Sequence, residues 1–235
     1  MFIDVHCHLN LLEDIIEVLD RAHKAGVHII VTQGVDRDSN RIALDLSEDF
    51  SDVKAALGLY PIDALKMRDK EIDDEVDFIR ENINRITAIG EVGLDFKEDT
   101  NQHERQKDIF QKMIDLSIEF DKPIIVHSRK AELACIEQLE KSQVKKVIMH
   151  CFSGKLSLVK RIVDNGWFLS IPTSVKSTEH FQKVIEMTPL NQLFCETDSP
   201  YLHPDKEFPN EPANVISSYE MIAQIKKLKL EDVEG

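Results

Sequence analysis

Eight times along the chain, a short apolar run of strand character is followed by a longer segment with helical spacing. This alternation is what most constrains the fold. The strand-like runs cover residues 2–8, 27–32, 53–59, 86–91, 122–127, 146–150, 167–171 and 193–198. Helical patterns lie between them. The first places Leu11, Leu12, Ile15, Ile16, Leu19 and Ala22 on one face and ends at Gly26. The longest covers residues 103–120, where Ile109, Phe110, Met113, Leu116 and Phe120 recur at helical spacing, and the last covers 211–229. Strict strand–helix alternation implies a parallel sheet, because parallel neighbours need a crossover between them. Eight units imply an α/β chain closed as a (β/α)8 TIM barrel, with an open doubly wound sheet as the alternative. A length of 235 residues suits a single barrel domain, and no composition break suggests a linker.

The polar residues that interrupt the apolar runs fall at the ends of the expected strands. His6 and His8 close the first, Glu91 the fourth, His127 the fifth, His150 the sixth and Asp198 the eighth. Residues two apart on a strand share a face, so Asp4, His6 and His8 are expected to point into the barrel and Ile3, Val5 and Cys7 toward the helices. On a helix the same H-x-H spacing would splay the rings apart. In a barrel the C-terminal ends of the strands form the active-site mouth. One strand histidine is ordinarily structural; six ligand-type side chains ending five strands make a candidate metal centre. Asp4 and Glu196 each precede one of these residues by two, on the same face, and are expected to hold ligating histidines as hydrogen-bond acceptors or to share an interior proton. Gly90 and Gly93 flank Glu91 and are expected to allow close backbone approach.

The segments IDVHCHLN, AIGEVGLDF, KPIIVHSRKA, MHCFSG and ETDSPYLHP, the last followed by NEPANV, occur in that order and span Ile3 to Val215. Together they resemble the TatD family of metal-dependent hydrolases, within the amidohydrolase-like barrels. The resemblance implies a two-metal site and phosphodiester hydrolysis, typically deoxyribonuclease activity. It implies one cation held by His6, His8, Glu91 and Asp198 and another held by Glu91, His127 and His150, with Glu91 bridging. The cations would be divalent (Mg, Mn or Zn), with DNA as substrate, single-stranded or cut from a 3′ end. Imidazole donors by themselves favour a softer ion than Mg. Glu91 and Asp198 are then the candidate catalytic carboxylates, with Asp198 as general base toward the attacking water.

Three features depart from the family pattern. The run GLYP places Tyr60 where the family has histidine, and a phenol cannot replace imidazole near neutral pH. Phe208 and Pro209 precede Asn210 where a basic residue is usual, and the sequence ends at Gly235, soon after its last helix. Arg129, two residues after His127, is a candidate phosphate fork or else a surface ion pair. Tyr60 and Ser153 complete the candidate substrate-binding set, although an ordinary helix cap also explains Ser153.

A formal net charge of −14 repels polyanions at long range, so bulk charge does not by itself point to nucleic acid. This keeps a second reading open, in which the same metals hydrolyse a small ester, lactone or aminoacyl ester; a third is a non-catalytic binding barrel. No apolar run approaches a membrane span and the N-terminus has no leader-like segment. Cys7, Cys135, Cys151 and Cys195 include no C-x-x-C pair. A cytoplasmic location is expected on these grounds.

Overall fold

A computed structural model describes residues 1–234. The strands are β1 Phe2–Cys7, β2 Val27–Gln33, β3 Val53–Leu57, β4 Ala88–Gly93, β5 Ile124–His127, β6 Val147–Met149, β7 Phe168–Pro172 and β8 Leu193–Glu196. The helices between and after them are α1 Ile15–Lys24, α2 Arg37–Asp49, α3 Pro61–Ala64, α4 Asp69–Glu81, α5 His103–Glu119, α6 Glu132–Ser142, α7 Leu156–Asp164, α8 Glu179–Met187 and α9 Ile216–Lys226. All strand pairings are parallel and run in sequence order, which makes the (β/α)8 barrel expected from the alternation. Among the described residues no helix is long and apolar enough to cross a membrane.

Local chemistry starts and stops these elements. Asp36 and Ser39 form a reciprocal capping box at the start of α2, with Ser39 N donating to Asp36 Oδ1 (2.8 Å) and Asp36 N to Ser39 Oγ (3.0 Å). Pro61 opens α3, where its missing N–H costs no helical bond. The apolar stripe expected at the first helix divides. Val18 and Ala22 are buried and Leu12, Ile15 and Leu19 pack on the core, but Ile16 faces solvent. Leu11 lies before α1, in a 3-10 turn at the barrel mouth. The last helical segment also divides, into a 3-10 turn over Pro212–Val215 and α9.

The core has two parts. The large one, between strands and helices, includes Leu57, Ile89, Phe110, Met113, Ile124 and Leu169. The small one, inside the barrel, consists of Val31, Ala56, Ala88 and Ile125, with Ile148 packed on it. Strand parity then aims His127, two past Ile125, and His150, two past Ile148, inward. In β4 simple parity fails. Ile89 and Val92 both join the outer core, three residues apart, because the pairing with β5 shifts register between them. That irregularity leaves Glu91 facing the interior, inside the strand rather than at its end. It also needs glycine on either side: a Cβ on Gly90 would lie 2.8 Å from that of Ile125, and one on Gly93, at φ +138°, would lie 2.0 Å from the His127 carbonyl oxygen.

Asp198 also lies outside its expected strand. β8 ends at Glu196, and Asp198 follows in a left-handed turn at φ +53°. The seam between the first and last strands closes there. Asp198 N donates to His6 O at 2.9 Å, and His8 N donates to Ser199 O at 2.8 Å. Three of the six site residues are therefore fixed by the hydrogen bonds that close the barrel.

Candidate metal centre

The structure brings all six residues together. His6 Nε2 lies 3.4 Å from Glu91 Oε2 and 3.5 Å from Asp198 Oδ1; His8 Nε2 lies 3.4 Å and 3.5 Å from the same two atoms. The other Glu91 oxygen faces the second pair of histidines. Oε1 is 3.0 Å from His127 Nδ1 and 3.4 Å from His150 Nε2. His6, His8 and Asp198 form one group of potential ligands, Glu91, His127 and His150 another, and one oxygen of Glu91 meets each.

The donor atoms fit a cation better than they fit one another. Both ring nitrogens of His6 are buried without a hydrogen-bond partner. A buried imidazole in that state loses about 1–3 kcal/mol unless something ligates it. Charge points the same way. Glu91, Asp95, Asp198 and Glu196 put four carboxylates around four imidazoles that are neutral at pH 7 in water. Without a cation, protons must make up the balance. Burial opposes charge on His6, yet Asp198 and Glu91 hold its pKa up to about 9. Burial also opposes charge on His150, whose pKa Glu196 and Glu91 push well above the imidazole range. Despite burial, the surrounding histidines keep the Glu91 and Asp198 carboxyls well below the usual carboxylate range. Two divalent cations would supply the same positive charge.

The groups behind the ligands differ from expectation in one case. Glu196 Oε2 faces His150 Nδ1 at 3.3 Å and accepts a hydrogen bond from Ser170, as expected of a residue that orients an imidazole. Asp4 touches no imidazole. It accepts from the backbone N–H groups of His6 (3.2 Å) and Thr197 (3.0 Å) and from the Thr197 hydroxyl (2.6 Å), so it ties β1 to the segment carrying Asp198. The inward side chain is in place, but the rings leave before reaching it. Burial pushes the Asp4 carboxyl up to about 7.

Sequence reasoning missed Asp95. It is fully buried, and its Oδ2 receives His127 Nε2 at 3.0 Å and the Tyr60 hydroxyl at 3.2 Å, with Arg129 Nε at 3.2 Å. Its Oδ1 accepts from the N–H groups of Lys97 (2.8 Å) and Glu98 (2.9 Å). The one available signal was an acid four residues after Glu91 in GEVGLDF, but it falls beyond β4, where strand alternation has stopped.

A cleft of about 750 Å³ is lined by five of the six residues, all but the fully buried His6, and by the three candidate substrate-binding residues, Tyr60, Arg129 and Ser153. A groove of about 730 Å³ between α2 and α4 contains none of the six. Burial and neighbouring carboxylates raise the Tyr60 pKa, so its hydroxyl stays protonated and donates to Asp95. Arg129 reads as both of its expected alternatives: Nη2 donates to Glu98 (2.6 Å), yet the guanidinium sits at the lip of the cleft. At the opposite end of the barrel, His23, His28 and Asp52 form a surface group remote from the mouth.

A model of the family described as TatD related DNase matches residues 3–235. An uncharacterized metal-dependent hydrolase of Methanocaldococcus jannaschii is 39% identical over 238 residues, 99% of this chain and 92% of its own length. The human deoxyribonuclease TATDN3 is 35% identical over 245 residues, 98% of this chain and 89% of its own. Among solved structures, the TatD homologue YjjV of Escherichia coli superposes with a TM-score of 0.92 at 26% identity, covering 99% of this chain and 93% of that one.

Proposed function

The chain belongs to the TatD family of metal-dependent hydrolases, and from that premise we propose that it is a deoxyribonuclease, cleaving DNA phosphodiester bonds from a single-stranded 3′ end with two divalent cations. The observation that carries this reading is the division of Glu91, with one oxygen toward His6 and His8 and the other toward His127 and His150. His6, His8, Asp198 and Glu91 would hold one cation, and Glu91, His127 and His150 the other. Such ions, Mg, Mn or Zn, supply Lewis acidity that lowers the pKa of water and neutralises phosphate oxygens.

The chain's own groups do the rest. Asp198 stays ionised at neutral pH because His6 and His8 favour its charged form over the opposition of burial, so it can accept the proton of the attacking water. Glu196 orients His150 through Nδ1, and Asp95 orients His127 through Nε2. Arg129, anchored by Glu98, lies at the lip where a phosphate oxygen would arrive, and the exposed Ser153 offers a hydroxyl to the same cleft. Tyr60 acts as a neutral donor and keeps Asp95 in place.

A second reading uses the same site to hydrolyse a small ester, lactone or aminoacyl ester. Asp36, Asp63 and Glu98 line the cleft with negative charge, and its volume lies within the roughly 300–1,000 Å³ of small-molecule sites. Incubating the metal-loaded protein with end-labelled single-stranded DNA and, separately, with p-nitrophenyl esters and lactones separates the two. Shortening of the DNA one nucleotide at a time from its 3′ end is the expected result. Intact DNA with Mg, Mn and Zn each present, alongside ester turnover, would establish the second reading.

A further inference from the structure

The cleft mouth is divided into sectors of different chemistry. The loops after β2 and β3 contribute Asp36, with the exposed Arg37 beside it, and Asp63, which pairs with Lys66 at 2.6 Å. The loops after β8 and β1 contribute Tyr201 and Leu11, 50% and 51% exposed, which is unusual for large apolar side chains beside a buried polar site. The loops after β4, β5 and β6, which are neighbours in the sheet, carry Lys97, Arg129 with Lys130, and Lys155.

The three lysines are exposed, and among the described residues none has a carboxylate within ion-pair distance. The flanking helices differ. Lys24, Lys70, Lys107, Lys112, Lys160 and Lys183 each lie 2.5–2.8 Å from an acid. Acids are present in the β4–β6 sector too, but they are engaged: Glu98 with Arg129, Asp99 with the N–H groups of Asn101 and Gln102, and Glu132 with that of Lys130. The net charge of −14 does not override this arrangement. Arg129 lines the cleft, and the three lysines lie outside its lining, on the same loops. Screening confines each charge to about 8 Å at physiological salt, so these lysines act on a strand that runs past the cleft over those loops.

Resting on the phosphodiesterase reading above, we propose that single-stranded nucleic acid crosses the mouth in one direction. Its body lies over the β4–β6 loops with phosphates on Lys97, Lys130 and Lys155. Its terminal base rests on Tyr201 and Leu11. Stacking on an aromatic face tolerates any base and a lysine reads only phosphate, so the track recognises strandedness and charge rather than sequence.

The test is equilibrium binding of a fluorescein-labelled DNA octamer with phosphorothioate linkages, read by anisotropy against metal-loaded protein over a range of salt. The test variant is Lys97→Glu/Lys130→Glu/Lys155→Glu. Its charge-matched control is Lys141→Glu/Lys145→Glu/Lys227→Glu, at the other end of the barrel. The rim variant is expected to raise Kd at least tenfold. The slope of log affinity against log salt should fall by about 2, roughly 0.7 for each lost phosphate contact on a single strand. Tyr201→Ala should raise Kd by about fivefold or more without changing the slope. Equal effects of the rim and control variants overturn the path while leaving the phosphodiesterase reading standing. Wild-type protein that turns over no phosphodiester of any length overturns both.

Discussion

Asp95→Asn is a nearly isosteric change at a residue outside the six-member set, so its effect isolates what a buried acceptor does for a ligand. Asp95 offers two faces and both meet donors: Oδ1 meets the Lys97 and Glu98 N–H groups, and Oδ2 meets His127, Tyr60 and Arg129. An asparagine must turn its NH2 toward one of those sets; the orientation that keeps its oxygen on the two fixed backbone N–H groups points the NH2 at His127. With His127 Nδ1 facing Glu91, the proton sits on Nε2 and in that orientation is left without its acceptor. A hydrogen bond to a charged group contributes about 1.5–3 kcal/mol. At about 1.4 kcal/mol per decade, that corresponds to a 10- to 150-fold weaker hold on a cation by His127, close to the 10- to 100-fold typical of groups that orient a ligand. Competition with a fluorescent chelator measures it, with thermal melting as a check on folding. Metal affinity within twofold of wild type in a folded Asp95→Asn variant would refute the reasoning.

Further outcomes follow from the same geometry. Glu91→Gln should release metal at both positions, because each oxygen faces one histidine pair; elemental analysis after dialysis should find little of either ion. The metal-free protein should lose stability as pH rises. A His6 pKa held at about 9, above its unfolded value near 6.5, stabilises fully below 6.5 and loses that contribution through 9, at most about 3 kcal/mol; urea titrations with and without chelator should show the slope only when metal is absent. Asn210→Ala should destabilise by about 2–3 kcal/mol and impair turnover. Its buried amide donates to the Thr173 hydroxyl and to the Thr197 and Tyr201 carbonyls, which hold the turn containing Asp198; denaturation together with DNA cleavage reads both effects. Ile89→Ala should cost about 2–5 kcal/mol yet leave metal stoichiometry unchanged, because Ile89 faces the helices.

Much of this protein was legible in its sequence because the informative patterns are local. A period of two separates the faces of a strand and a period near 3.6 marks a helix, so the eight units follow from neighbours a few residues apart. The same parity sends His6, His8, His127 and His150 to one end and inward without reference to any partner. What the sequence could not decide depends on contacts between distant segments. The register shift between β4 and β5 turns Glu91 inward, and backbone bonds across the β1–β8 seam, rather than strand alternation, place Asp198. Asp4 has the right face but the wrong partner, because the imidazoles bend toward Glu91 and Asp198 and leave its carboxylate to Thr197. Asp95 lies past the end of any periodic pattern, and only folding brings it to His127, 32 residues away. Periodicity reports direction, whereas the choice of partner is a long-range competition among buried donors and acceptors that only the closed barrel resolves.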